Sequence, residues 1–331
     1  MKQPKPPLVV LTGPTAVGKT ELSIRLARSI GGEIISADSM QVYRGMDIGT
    51  AKITEEEKQG VPHFLLDELE PWEEFHVVLF QQKAKQYIKE IYSRGHIPVI
   101  VGGTGFYIQS VLYDIDFTKE EAEDGTETDR KEKAAGRSTS AVRRVLEELA
   151  QAKGAVWLHQ ELERVDPVSA GQIHPNNVKR VIRALEYYRQ TGEPISVHNA
   201  REREKESPYA FCYFVLNQER AVLYERINRR IDQMIEDGLL EEVAGLREAG
   251  CDRSLVSMQG LGYKEILAYL EGECSLEEAV YRLKRDTRHF AKRQLTWFGR
   301  EREVLWIQKE AFPDTEAILE FMIKQIEERV Y

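Results

Sequence analysis

Cysteine is scarce in this chain, and with it the classes of protein that cysteine builds. Only Cys212, Cys251 and Cys274 occur among 331 residues, and they lie far apart. That spacing excludes a disulfide framework and a cysteine metal site, and it fits a reducing cytoplasm. No apolar run approaches the roughly 20 residues of a membrane-spanning helix, so no membrane role is expected. The opening Met1-Lys2-Gln3-Pro4-Lys5-Pro6-Pro7 lacks the layout of a secretory leader. The seven histidines are scattered; only His174, in Ile173-His174-Pro175-Asn176-Asn177, has an unusual setting, where a hydrogen-bonded structural role is expected. No internal repeat is visible. A surplus of basic charge is missing too: the formal net charge is −9, which taken alone argues against a polyanionic partner. What remains is an ordinary globular composition, 42% hydrophobic and 31% charged, long enough for two domains or one with an insertion.

The mean charge conceals segregation. Tyr281 to Arg300 holds seven Lys/Arg against the single acid Asp286, whereas Lys119 to Glu132 holds seven acids and three bases. On helical spacing Arg285, Arg288 and Lys292 share one stripe, while Phe290, Ala291 and Leu295 can pack inward. Such a stripe is either a solvated face or a phosphate-contacting one.

Gly13-Pro14-Thr15-Ala16-Val17-Gly18-Lys19-Thr20 has the spacing of a phosphate-cradling loop, Gly-x4-Gly-Lys-Ser/Thr. Its context is right: Leu8 to Leu11 reads as a buried strand, and Leu22, Leu26 and Ile30 recur at helical spacing after it. Glycines let backbone N–H groups turn around phosphate oxygens at the positive end of the following helix. Lys19 adds a mobile charge, and the Thr20 hydroxyl is placed to ligate Mg²⁺. A ligand with two or more phosphates is expected here.

Further strands are expected at 33–38, 97–101, 210–216 and 304–307, with helices over 75–93 and 315–330. Asp38 ends the second strand and Gly102-Gly103-Thr104 the third, at carboxyl ends, where ligands of open α/β sheets collect. Between 117 and about 210 no strand appears. Lys119 to Ser140 is polar and acidic, expected as a mobile surface segment, and 141–191 reads as helices. The fold class is therefore α/β. Its core is a parallel sheet of the P-loop nucleoside-triphosphate-hydrolase-like kind, residues 1–115 and 197–331, with an all-helical insertion over 116–196, hinged near Asp116 and Ser196.

Several blocks occur in one order: the loop 13–20, Asp38-Ser39-Met40-Gln41-Val42-Tyr43, Gly49-Thr50-Ala51-Lys52, and Gly102-Gly103-Thr104-Gly105-Phe106-Tyr107. Val165-Asp166-Pro167, the run from Ile173 to Glu186, Gly260-Leu261-Gly262-Tyr263-Lys264-Glu265 and the run from Ala291 to Phe298 follow. Together they resemble the bacterial tRNA dimethylallyltransferase (tRNA isopentenyltransferase) family. The resemblance implies transfer of a dimethylallyl group from dimethylallyl diphosphate to N6 of an adenine. That adenine lies just 3′ of the anticodon, in tRNAs reading codons that begin with U, and pyrophosphate leaves. It further implies that the loop holds an isoprenoid diphosphate rather than ATP and that the partner is a tRNA anticodon stem-loop; a monomer is expected.

Residue by residue, Asp38 can be a general base, a metal ligand or a turn acid, and the resemblance favours the base. Lys19, Thr20 and Arg220 would neutralise the departing pyrophosphate; an exposed helix arginine is the other reading of Arg220. Thr15 and Thr104 are either contacts or turn hydroxyls. The adenine must be turned out of its loop to be reached. Ser39, Met40 and Gln41 are placed to read it, with the Gln41 amide suited to an adenine edge. Gly260 to Glu265, the segment Lys179-Arg180-Val181-Ile182-Arg183 and the Arg285/Arg288/Lys292 stripe would meet the rest of the tRNA. Two rival classes share the loop: a small-molecule or nucleoside kinase with a helical lid, and a protein that only binds RNA. The third strand ends in Gly-Gly-Thr-Gly rather than an acid, which disfavours the kinase. Asp38 at a strand end is superfluous for mere binding.

Overall fold

The computed structural model describes residues 4–117 and 141–330; the acidic segment 119–140 lies outside the described residues. Contacts divide the chain into one unit of 1–112 with 208–331 and another of 113–207.

The first unit is built on six parallel strands: β1 (Pro7–Thr12), β2 (Gly32–Ala37), β3 (His63–Phe64), β4 (Ile97–Gly102), β5 (Ala210–Asn217) and β6 (Val304–Gln308), in the order β3-β2-β4-β1-β5-β6. Strands in such a sheet are covered on both faces, so they read as continuous apolar runs rather than alternating ones. Leu8, Val9, Val10 and Leu11 are accordingly all fully buried. The five expected strands are present to within one residue at each end. β3 was not anticipated; two residues, pairing through Ile34 and Ile35 alone, are too few to show a period. Helices α1 (Lys19–Ile30), α2 (Glu55–Lys58), α3 (Val77–Ser93) and α4 (Gly105–Leu112) belong to this unit. So do α10 (Arg220–Glu236), α11 (Leu239–Glu248), α12 (Tyr263–Leu270), α13 (Leu276–Phe298) and α14 (Thr315–Val330). α3 begins two residues later than expected because His76 caps it, its ring accepting from the Leu79 N–H.

The second unit is helical: α5 (Ala141–Lys153), α6 (Ala155–Val165), α7 (Pro167–Gln172), α8 (Val178–Thr191) and α9 (Ile195–Glu204). Its core joins Leu146, Leu158, Leu162, Val181, Ile182 and Leu185. Asp166 organises it. The residue caps α7 ahead of Pro167, and its buried carboxylate accepts from Ser169 N (3.0 Å), Ser169 Oγ (2.7 Å), Ser196 N (3.0 Å) and Ser196 Oγ (2.6 Å). Burial pushes this carboxyl up, but the bonds from Ser196 and Ser169 outweigh it and hold its pKa below the ordinary value. The Ser196 bonds fasten α9 to the bundle, and the Asp116 N–H donates to Glu202 of α9 at 2.9 Å. Asp116 and Ser196 therefore lie inside the unit rather than at its hinges, and the unit ends at 207, not 196. Among the described residues no helix is long and apolar enough to cross a membrane.

Candidate active site

Sheet register assembles the site. Thr12 of β1 and Ala37 of β2 both stand opposite Gly102 of β4. The residues that follow, Gly13, Asp38 and Gly103, therefore leave the sheet together at its carboxyl edge. Backbones crowd there: a Cβ on Gly13 would meet the Leu216 carbonyl oxygen at 2.3 Å, so no other residue fits.

The loop folds back on its own lysine. Lys19 Nζ donates to the carbonyls of Gly13 (3.0 Å) and Pro14 (2.9 Å). The residue is half-buried, yet its ammonium is packed among atoms. That desolvation, with Arg230 adding repulsion and Asp38 opposing, brings its pKa down to about 8. Arg230 of α10 is also lowered by burial, against the pull of Asp38. It reaches Thr15, Nη1 to Oγ1, at 3.4 Å. Asp38 Oδ1 accepts the Met40 N–H at 2.9 Å, while Oδ2 carries no hydrogen bond among the described residues.

Two cavities meet at these groups. One, of about 390 Å³, is walled by Gly18, Lys19, Thr20, Arg226 and the 50–51 backbone. The other, of about 380 Å³, is walled by Ser39, Met40, Thr104, the Gly260–Lys264 loop, Arg293 and the apolar side chains Ile227, Ile231 and Leu283. Thr15, Ala16, Asp38, Thr50, Gly103, Arg230, Phe290 and Gln294 line both. One carboxylate thus stands where a phosphate-loop cavity opens into a partly apolar one.

Two polar side chains, buried Gln294 and half-buried Glu242, hold the walls. Gln294 of α13 accepts the Thr15 N–H at 2.9 Å and donates to the Gly103 carbonyl at 3.0 Å, stapling the loop to the end of β4. A Cβ on Gly103 would meet its Nε2 at 2.2 Å, which accounts for glycine there. Glu242 accepts the N–H groups of Asp47 (2.9 Å), Ile48 (2.7 Å) and Gly49 (3.1 Å) and the Tyr263 hydroxyl (2.6 Å). It fixes the turn that carries Thr50. In the same turn Lys52 bonds the Tyr43 carbonyl at 2.7 Å and pairs with Asp47 and Asp67.

Of the residues expected at the site, Thr15, Ala16, Gly18, Lys19 and Thr20 of the loop, Asp38, Ser39, Met40, Thr104 and Gly260 through Lys264 come together, while Gly13, Pro14 and Val17 line neither cavity. Others do not. Arg220 is exposed at the start of α10, its guanidinium over the Tyr224 ring at 5.0 Å, and it borders a separate surface hollow with Lys292. The arginines that reach the phosphate loop are Arg226 and Arg230, later on the same helix. Gln41 reaches the cavity, but its amide is committed internally, accepting from Ser36 Oγ (3.1 Å) and donating to the Thr50 carbonyl (3.2 Å). Glu265 is buried and caps its own helix, accepting the Gly262 N–H at 2.9 Å. In the helical unit Val181 and Ile182 belong to the core, which leaves Lys179 and Arg180 exposed and Arg183 beside Glu186. On α13, Arg285 pairs with Asp286 at 2.7 Å and Arg288 donates to Asn228 at 2.7 Å; Lys292 is exposed. His174 is exposed and its ring accepts the Asn176 N–H at 3.2 Å, a structural contact.

A family model described as IPP transferase matches residues 41–301. The chain is similar to a tRNA dimethylallyltransferase of Lachnoclostridium phytofermentans, 62% identical over 98% of both chains. It is likewise similar to one of Carboxydothermus hydrogenoformans, 51% identical over 90% of this chain and 91% of the other. Among solved structures, the full-length tRNA isopentenylpyrophosphate transferase of Bacillus halodurans matches with a TM-score of 0.69 and 44% identity, covering 98% of each chain. A eukaryotic dimethylallyltransferase acting on tRNA matches with a TM-score of 0.80 and 27% identity, over 98% of this chain and 80% of that one.

Proposed function

The chain belongs to the IPP transferase family, and from that premise we propose that it transfers a dimethylallyl group from dimethylallyl diphosphate to the exocyclic N6 of a tRNA adenine. The acceptor is the adenine just 3′ of the anticodon in tRNAs reading U-initial codons, and pyrophosphate leaves. The observation that carries the reading is Asp38 at the junction of the two cavities.

The diphosphate takes the phosphate-loop cavity, against the loop N–H groups, Lys19 and Arg230. Cations there gain most as the C–O bond breaks, because charge then accumulates on the leaving group. The five-carbon chain lies toward Phe290 and Ile227. An adenine turned out of its RNA loop enters between Met40 and the Gly260–Lys264 turn. Its amine becomes acidic as N–C bonding advances, and the unengaged Asp38 Oδ2 accepts the proton.

Mg²⁺ fits this site only in company. Among the described residues no group of three or more His, Cys, Asp or Glu side chains could hold an ion. The Thr20 hydroxyl beside diphosphate oxygens suits a cation that keeps several waters. When bound, Mg²⁺ supplies charge neutralisation on the diphosphate.

The kinase reading is not favoured, since β4 ends in Gly102, followed by Gly103, where a metal-holding acid would stand. The test is incubation with tRNA and either dimethylallyl-labelled diphosphate or γ-labelled ATP. Prenyl label entering RNA, with pyrophosphate released, is expected; phosphate label transferred from ATP instead would overturn the reading.

A further inference from the structure

Lys309 lies outside the segment that the family model matches, which ends at residue 301. It immediately follows β6, whose carboxyl end opens on the same edge of the sheet as the phosphate loop. Its Nζ donates to the Val17 carbonyl at 3.3 Å. A Cβ placed on Gly18 would meet that Nζ at 3.3 Å and Arg226 Nη1 at 3.7 Å. A lysine just past the last strand and an arginine from α10 thus converge over one glycine of the loop.

Neither cation is ion-paired among the described residues. Among the described residues no carboxylate lies within ion-pair distance of Lys309 or Arg226, and Arg226 has no hydrogen bond. The Lys309 amine is held below its usual pKa by burial and then by Arg226, with Glu21 and Glu310 opposing. A fold that needed only to pin the Val17 carbonyl could use any neutral donor. Two like charges set against each other at a phosphate loop instead leave capacity for an anion.

We propose that Lys309, with Arg226, binds the terminal phosphate of the diphosphate donor and holds the departing pyrophosphate. The proposal rests on the donor reading above and adds a leaving-group residue to it. In the step, the donor C1–O bond breaks with its electron pair remaining on pyrophosphate, the N6–C1 bond forms, and the N6 proton passes to Asp38. Lys19 and Arg230 face the bond that breaks, and Lys309, beside Gly18, meets the far phosphate. Charge that grows on the leaving group is thereby met from both ends.

The test is calorimetric titration of the full chain with inorganic pyrophosphate and Mg²⁺, for the wild type, Lys309→Gln and Lys309→Arg. Steady-state transfer kinetics and melting temperatures accompany it. Gln keeps a hydrogen-bond donor for Val17 but no charge. Loss of one charge-assisted contact should weaken pyrophosphate binding by about tenfold or more in Lys309→Gln. Lys309→Arg should stay near wild type, the donor KM should rise only in Lys309→Gln, and tRNA affinity should not change. Lys309→Gln binding pyrophosphate as well as the wild type overturns the proposal. So does equal loss in both variants with equally lowered melting temperature, which marks a structural lysine. A folded wild type that binds neither pyrophosphate nor dimethylallyl diphosphate overturns the donor reading itself, a result distinguishable from failure at Lys309 alone.

Discussion

Replacing Gln294 with leucine keeps its volume and removes the staple between the phosphate loop and the end of β4. The substitution strands two groups, the Thr15 N–H and the Gly103 carbonyl, which the native amide bonds at 2.9 and 3.0 Å. An unpartnered buried polar group costs about 1–3 kcal/mol. Both groups border cavities that water can enter, so the low end applies, about 2–3 kcal/mol for the pair. If the loop relaxes to recover solvent bonds, donor binding must reorder it, and the cost moves from stability into kcat/KM. At about 1.4 kcal/mol per factor of ten, Gln294→Leu should lower kcat/KM for dimethylallyl diphosphate by roughly 10- to 100-fold. Initial rates with the donor varied at saturating tRNA measure this, with urea melts giving the remainder as lost stability. Unchanged donor kinetics together with an unchanged urea midpoint would refute the idea that this amide holds the loop.

Other outcomes follow from the same geometry. Lys19→Ala should lower transfer by about 10²–10³ while leaving tRNA affinity intact, and pyrophosphate should compete with the donor but not with tRNA; an inhibition pattern competitive with tRNA contradicts the cavity assignment. Neutralising Arg285, Arg288 and Lys292 together should flatten the dependence of tRNA affinity on salt by about two in logarithmic slope, less than three because Arg285 is already paired with Asp286; an unchanged slope returns the stripe to a solvated face. Asp166→Asn should destabilise the helical unit. The folded carboxyl has a lowered pKa, so its contribution is fully present above the unfolded value of about 3.9 and is lost as pH falls through the folded one. The gap between mutant and wild-type melts should therefore shrink in acid, and a constant gap would refute the charge-based account.

The sheet was legible because strands buried on both faces read as apolar runs, and the loop because its spacing has a mechanism. Placement of long side chains was harder. Arg220 opens α10, but it faces a separate hollow with Asn217, Lys292 and Gln308. Arg226 and Arg230, four apart, each precede a buried isoleucine, Ile227 and Ile231. A basic residue beside a buried stripe was the available signal. Gln294 was similar: it sits between Ala291 and Phe298 on the buried face of α13, where a polar residue implies a buried partner. Val181 and Ile182 carry the helical period of a core and pack inside it, although basic residues flank them in sequence. The internal bonding of the Gln41 amide nitrogen has no sequence signal, since its partners are carbonyls at 50 and 51, brought near by a turn that Glu242 holds from a distant helix.

The central claim is that Asp38 takes the adenine proton where the two cavities meet. Single-turnover transfer by Asp38→Asn, with donor and tRNA dissociation constants measured on the same preparation, tests it most directly. The account predicts a rate lower by about 10²–10⁴ with both constants near wild type. Near-normal turnover, or a loss explained wholly by weakened Mg²⁺-diphosphate binding, would contradict it.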